Sequence, residues 1–466
     1  MTSTAVPARM MPRRLPTDVS AESSAPPSPL ESPNPSASST SLSSYEDEPV
    51  QETKMVDTFG NEFEIPQFRM KDIRDAIPPH CFERSAWRSL SYVARDLACF
   101  AGTFVLFHTF VRPEYISSTP VRGVLWALYT FIQGLFGTGM WVLAHECGHQ
   151  AFSPSRVLND TVGWILHSAW LVPYFSWKIS HAKHHQMNGN IARDMVFVPK
   201  TREVFASKIG RAAHELAELT EEAPISTALS LLLQQLGGWQ MYLLSNVTGH
   251  NNHESQREGR GKGYENGLFG GVNHFNPKSP LYEERDVKWI WMSNLGMAIM
   301  STILYFGIQK FGWSNMLVWY FVPYLWVNHW LVAITYLQHT DPSLPHYQPE
   351  AWNFTRGAAV TVDREFGFIG RHLFHGIIET HVLHHYVNKI PFYHADEATE
   401  GIKKVMGKHY RANTEGGSLG FLMSLWTSSR TCQWVEPNEG AQGEAKSVLF
   451  YRNRNHIGLP PAQTIS

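Results

Sequence analysis

The chain is short of charge and of cysteine. Only 17% of its 466 residues are Asp, Glu, Lys or Arg, and the net charge is −2. That balance gives no reason to expect a nucleic-acid partner. The four cysteines, Cys81, Cys99, Cys147 and Cys432, stand far apart and form no C-x-x-C pair. They exclude a disulfide framework and suit a reduced, cytosol-facing protein. No apolar run follows the N-terminus, so a cleaved secretory leader is not expected.

What the chain does have is unevenly placed. The mean hydropathy of −0.24 averages unlike regions. Residues 1–55, with "AESSAPPSPLESPNPSASSTSLSSYEDEP", hold too little apolar content to fold and read as a disordered Ser/Pro-rich cytosolic tail. The remainder is aromatic-rich, with 16 Trp in the whole chain. It reads as a membrane domain over 56–435, followed by a C-terminal cytosolic tail over 436–466.

Four stretches have the ~20 apolar residues a helix needs to cross the hydrocarbon core. They are 91–112, 123–144, 287–309 and 315–338. Arg95 and Asp96, near the start of the first, are expected at the interface. Short links at 113–120 and 310–314 join the spans pairwise into two hairpins. Two further apolar stretches, 161–177 and 225–247, are expected to lie in the interface plane. Lys and Arg concentrate in 67–90, 178–213 and 371–412, while the two links carry only Lys310 between them. The positive-inside rule then puts both termini in the cytosol. The fold class is an all-α integral membrane protein with a cytosolic histidine-rich cap.

Histidine is the anomaly, at 23 residues. "MWVLAHECGHQAFS" contains His145-Glu146-Cys147-Gly148-His149, an H-E-x-x-H match to zinc metalloproteases, in which two imidazoles one turn apart grip a metal. Two further clusters compete with that reading. "SHAKHHQMNGN" supplies His181, His184 and His185; "ETHVLHHYVNK" supplies His381, His384 and His385. Each is H-x-x-H-H, which places three imidazoles on one helical face. His339, at the end of the fourth span, is a candidate ninth. Eight or nine imidazoles exceed the need of one zinc and match two ions, with iron the redox-active candidate. Glu146, Asp194 and Glu379 are then carboxylates that orient the rings. His108, His167 and His329 are expected to pair with neighbours in or near the spans.

These boxes, their order and their place after paired spans resemble the membrane-bound fatty acyl desaturase family, most nearly its fungal Δ12 (oleate) branch. The residues that carry the likeness are "LAHECGHQAFSPS", "VPYFSWKISHAKHH", "RDMVFVPKTRE", "TYLQHTDPSLPHY", "DREFGFIGRH" and "ETHVLHHYVNKIPFYHADEA", within 60–435. The resemblance implies an oxygen-dependent enzyme of the endoplasmic reticulum membrane with a di-iron (Fe2+) centre. It implies that His145, His149, His181, His184, His185, His381, His384, His385 and His339 are iron ligands. It further implies electrons from cytochrome b5 and its NADH-dependent reductase, an oleoyl chain carried on phospholipid, and room for a homodimer. No H-P-G-G haem-loop signature occurs in the chain, so the cytochrome is a separate protein. The basic residues Lys178, Lys183 and Arg193 are candidates to dock it. An apolar tunnel near Trp141, Tyr174, Trp330 and Tyr336 is expected to hold the acyl chain.

Some positions beside the boxes depart from the pattern of a plain Δ12 enzyme: "QMNGNIA" after the second, and Asn388, Lys389 and His394 after the third. In the family such changes alter the product. An ω3 or bifunctional desaturase, a hydroxylase and an acetylenase therefore stand as alternatives, and the zinc protease as a remote one.

Overall fold

A computed structural model describes residues 54–208, 224–249 and 271–462. The expected tail over 1–55 lies outside the described residues, apart from Lys54 and Met55. Four helices are long and apolar enough to cross a membrane. They are α1 (Ala86–Phe110), α2 (Thr119–Gly148) and a second pair later in the chain. Between the two pairs come α3 (Arg156–Ala169), α4 (Tyr174–Met187) and α5 (Pro224–Ser245). The second pair is α6 (Val287–Phe311) and a helix labelled α7 (Trp313–His339), which relaxes to one π-type turn at Leu317–Phe321. The chain is an all-α membrane protein.

Local sequence sets the starts of these helices. Ser85, Ser118 and Ser155 each accept a hydrogen bond from the backbone N–H three residues on, which satisfies an otherwise orphaned donor of the first turn. Packing sets their positions. The most apolar window of α2 is 72% buried, against 17% for α1 and 22% for α6, so α2 is the central span. Small residues let it be central. A Cβ on Gly134 would stand 2.2 Å from that of Trp326, and one on Gly137 would stand 2.5 Å from the Trp170 ring. Close backbone approach through small residues is how membrane helices gain contact without a hydrophobic drive between them. Outward, Val105, Leu106 and Phe110 of α1 and Ile299, Ile303 and Phe306 of α6 are exposed, as hydrocarbon requires.

The stretch 161–177 is not one interfacial helix. It breaks at residues 170–173, where Leu171 takes φ +53° and Pro173 cannot continue a helical ladder. The two halves fold together, with Tyr174 seated over Gly163. The stretch 225–247 is one helix, α5, with Leu229, Leu232, Leu233 and Leu236 exposed and Trp239, Tyr242 and Leu243 buried. Asp96 is buried, accepting from Arg95 Nε at 2.8 Å and facing His375 Nε2 at 2.8 Å. Two partners compensate what an unpaired buried carboxylate would cost.

The rest of the described chain forms a cap over the ends of these helices. It contains α8 (His381–Tyr386), α9 (Ala395–Met406) and α10 (Gly417–Thr431). It also holds a three-stranded antiparallel sheet of β1 (Pro345–Tyr347), β2 (Trp434–Pro437) and β3 (Val448–Arg452), with β3 in the middle. Pro345 pairs with Phe450, and Trp434 with Arg452. The expected boundary at 435/436 falls inside β2. The segment assigned to a C-terminal tail supplies the central, wholly buried strand of the sheet. A five-residue strand buried on both faces shows no alternation, and its partner β1 lies far away in sequence, so neither periodicity nor a hairpin turn marks it.

Candidate metal centre

The 30 residues of α2 span about 45 Å at 1.5 Å per residue, well beyond a hydrocarbon core of about 30 Å. Its last turns therefore carry His145 and His149 out of the apolar layer. There they meet α4, which bears His181, His184 and His185, and α8, which bears His381, His384 and His385. His339 ends α7 at the same place. The structure thus brings all nine predicted histidines together.

They form two sets. The donor nitrogens of His145, His149, His181, His185 and His384 lie within 4.8 Å of one another, as do those of His184, His339 and His385. His381 Nε2 joins the second set at 3.2 Å from His339 Nε2. The H-x-x-H-H boxes are therefore not used as single three-ligand faces. Each sends its i, i+4 pair to one set and its i+3 histidine to the other: His181 and His185 against His184, His381 and His385 against His384. On a helix, i and i+4 share a stripe while i+3 sits to the other side of the ridge. Two boxes crossing in this way build two adjoining sites, and the His185 and His385 rings stack at 4.1 Å where the sets meet.

The electrostatics suit cations. His145 Nε2 stands 3.0 Å from His181 Nε2 and 3.2 Å from His149 Nε2; His184 Nε2 stands 3.3 Å from His339 Nε2. Both oxygens of buried Asp194 face His184 Nδ1, at 2.9 and 3.0 Å. The proton of His184 is thereby held on Nδ1, and its Nε2 lone pair is aimed at His339. Such facing lone pairs repel unless a cation lies between them. Two nitrogens each about 2.1 Å from one ion stand about 3.0 Å apart at right angles and about 3.4 Å apart in a tetrahedron. The observed separations fall in that interval. Both ring nitrogens of His385 and Nε2 of His384 are buried without a protein partner. Burial, followed by mutual repulsion, holds His149, His181, His185, His381 and His385 well below the ordinary imidazole range, and His384 down to about 3. The rings are therefore neutral, the form that ligates metals. Five nitrogens in the first set exceed the four of a zinc site.

The three expected orienting carboxylates divide. Asp194 grips His184, and Glu146 Oε1 stands 3.2 Å from His145 Nδ1. Glu379 touches no histidine of the centre. Its Oε1 accepts from the Phe366 N–H at 3.0 Å, and burial pushes its pKa up to about 8. It holds the turn that leads into α8.

The structure also places several other residues. A cavity beside the centre is lined by Val142, Glu146, His375, Leu383, His384 and Phe392, among others, but by none of Trp141, Tyr174, Trp330 and Tyr336. Trp141 and Trp177 instead stack on His145 and His181, closing the first set from the apolar side. Lys178 is tied to Asp160 and Lys183 donates to the Leu281 carbonyl, so of the three docking candidates only Arg193 is exposed. "QMNGNIA" is structural: Asn188 Nδ2 donates to the carbonyls of Gly357 and Val360, and Gly189 at φ +72° leaves no room for a Cβ against Val360. His167 packs between Trp141 and Trp177, and His108 stacks on Phe104.

Sequence reasoning missed His375, Asp363 and Arg364. His375 faces Asp96 and lines the cavity. Asp363 accepts from Val382 N–H at 2.7 Å and from the Tyr410 hydroxyl, anchoring the first turn of α8. The side chain of Arg364 is wholly buried, donating to the carbonyls of Leu337 and Thr340, which flank His339, and to Asp341 at 3.0 Å. The phrase "DREF" was noticed as family-like, but nothing in its spacing announces these roles.

The sequence profile of fatty acid desaturases matches residues 124–416, and that of a domain of unknown function matches 30–104. The chain is 60% identical to an oleate hydroxylase of Claviceps purpurea over 451 residues, covering 96% of this chain and 94% of the relative. It is 43% identical to a Δ12 fatty acid desaturase of Mortierella isabellina, covering 81% of this chain and 90% of the relative. An oleoyl-12-hydroxylase of Ricinus communis is 42% identical, over 84% of this chain and 92% of the relative. Extended identity of this kind, the matching profile and the histidine centre agree, and the chain belongs to the fatty acid desaturase family.

Proposed function

We propose that the protein oxidises oleoyl chains at carbon 12 and leaves a cis double bond there, giving linoleoyl chains. The pair of adjoining imidazole sets, five nitrogens and four, supports metal-dependent oxidation of the chain, and the likeness to Δ12 desaturases supports the double bond. Two ferrous ions would be held there, the first by His145, His149, His181, His185 and His384, the second by His184, His339, His381 and His385. Bound iron would supply the dioxygen-dependent removal of hydrogen from an unactivated methylene, which no amino-acid side chain can perform. The balance is one dioxygen, two electrons and two protons taken up, with two hydrogens lost from adjacent carbons and two waters formed.

The protein's own groups do the rest. Asp194 and Glu146 fix ring orientation in the two sets. Trp141 and Trp177 keep water from the apolar side of the first set. Electrons would come from cytochrome b5, reduced by its NADH-dependent reductase. The proposed setting is the endoplasmic reticulum membrane, with both termini cytosolic and the oleoyl chain on phospholipid; a homodimer fits the same reading.

Hydroxylation at the same carbon is the second reading, favoured by the 60% identity to the Claviceps protein. The more distant relatives do not separate the two chemistries, since a desaturase at 43% and a hydroxylase at 42% are about equally similar to this chain. The test is expression in a yeast whose own acids stop at one double bond, beside a His384→Ala control. Lipids are analysed by gas chromatography–mass spectrometry with derivatives that locate each bond. Linoleate absent from the control supports desaturation. A 12-hydroxy acid selects the second reading, and no new lipid from iron-loaded protein overturns both.

A further inference from the structure

Away from the nine histidines, a second group of metal-binding side chains converges at the surface of the cap. His80 and Cys81 lie on the short helical turn Pro79–Phe82, just before α1. His394 and Glu397 lie at the N-terminal end of α9, His394 being its capping residue. One donor atom from each of the four lies within 4.8 Å of all the others. Glu397 Oε2 stands 2.9 Å and Cys81 Sγ 3.8 Å from the same atom, His80 Nε2, and the His80 and His394 rings meet edge to face at 5.7 Å. Bonds of about 2.0–2.3 Å place the ligands of a tetrahedral zinc roughly 3.3–3.8 Å apart, so small rotations of two half-exposed side chains complete the shell.

We propose that His80, Cys81, His394 and Glu397 form a zinc site distinct from the histidine centre. The donor set chooses the ion. One thiolate, two imidazoles and one carboxylate suit a borderline-soft divalent cation and do not suit calcium or magnesium, which take oxygen ligands. A surface ion pair between His80 and Glu397 would need neither the buried thiol nor the second imidazole. Burial and the neighbouring Glu397 raise the Cys81 pKa, so the metal-free thiol is protonated. Zinc binding therefore releases that proton to solvent as the thiolate forms.

The site is held in place by packing. Ile73, Ile77 and Cys81 share one apolar cluster with Ala395, Ala398 and Ile402 of α9 and with Val382 and Leu383 of α8. Zinc here clamps the segment that enters the first span onto the helix behind the third histidine box. Its role is structural, and it steadies the apolar cluster on which Val382 and Leu383 of α8 pack.

The experiment uses full-length protein purified in detergent, equilibrated with zinc and then washed with a weak chelator. The expected result is about one zinc per chain beside the iron, with zinc falling at least tenfold in Cys81→Ser and in Glu397→Gln while iron is unchanged. Glu397 is half exposed, so its variant keeps the test valid if Cys81→Ser fails to fold. Cobalt titrated in place of zinc should give a thiolate-to-metal charge-transfer band in the near ultraviolet that Cys81→Ser lacks. No zinc retained by the wild type, zinc content unaltered by both variants, or a third iron in place of zinc overturns the proposal.

Discussion

Asp194→Asn tests whether the two histidine sets are separate sites. The carboxylate is buried, and both its oxygens face His184 Nδ1, while Oδ1 also accepts from the Val196 and Phe197 N–H groups. An asparagine oxygen can keep the two backbone bonds, so the turn at 194–197 should persist. What is lost is the charge on the acceptor, and a charge-assisted bond is roughly twice as strong as a neutral one. Losing such an outer partner of a metal-ligating histidine costs about 10- to 100-fold in metal affinity, or about 1.4–2.7 kcal/mol. His184 belongs to the second set, with His339, His381 and His385, whereas the first set contains no residue that touches Asp194. The loss should therefore be selective. Wild-type and variant protein in detergent would be washed with rising chelator concentrations and their metal content measured at each step. The expected variant curve has two steps, one metal leaving at about 10- to 100-fold lower chelator than the other, with the second step as in wild type. Oxidation of the acyl chain should fall with the first step. A single step moved for both metals, or a curve identical to wild type, refutes the division of the histidines argued above.

Two further perturbations probe the scaffold. A Cβ on Gly137 would lie 2.5 Å from Trp170 and 2.7 Å from Val327, so Gly137→Ala should destabilise by about 1–3 kcal/mol through overpacking. Gly237 has open space around it, and Gly237→Ala should gain up to about 1 kcal/mol of helix propensity. Melting in detergent that shows the two alike would refute this packing. Arg364→Met should cost about 3–5 kcal/mol, because Asp341 and two carbonyls beside His339 lose their buried donor. It should also lower metal retention, and a variant with wild-type melting and metal content would refute the role assigned to Arg364.

The sequence by itself determined the elements whose cause is local. Four runs of apolar residues had to become spans, because backbone polar groups in hydrocarbon must pair within their own helix. The i, i+3 and i+4 spacing had to bring histidines to one side of a helix. Those two facts made the class and the eight box histidines legible, while His339 was marked by its place at the end of the fourth span. Tertiary structure decided the partition of each box between two sets, which depends on how α2, α4, α7 and α8 cross. It decided that Glu379 braces a turn while Asp194 grips a ring, since both are acidic residues near histidines in sequence. It buried Asp96 against His375, 279 positions away, and set strand 448–452 beside the sequence-distant strand 345–347. It also gathered His80, Cys81, His394 and Glu397 from two segments that no spacing rule connects. The physical reason is common to all of these. Helix formation and membrane burial are read from neighbours a few residues apart, whereas ligand sets, buried ion pairs and strand partners are contacts made after the chain has folded back on itself.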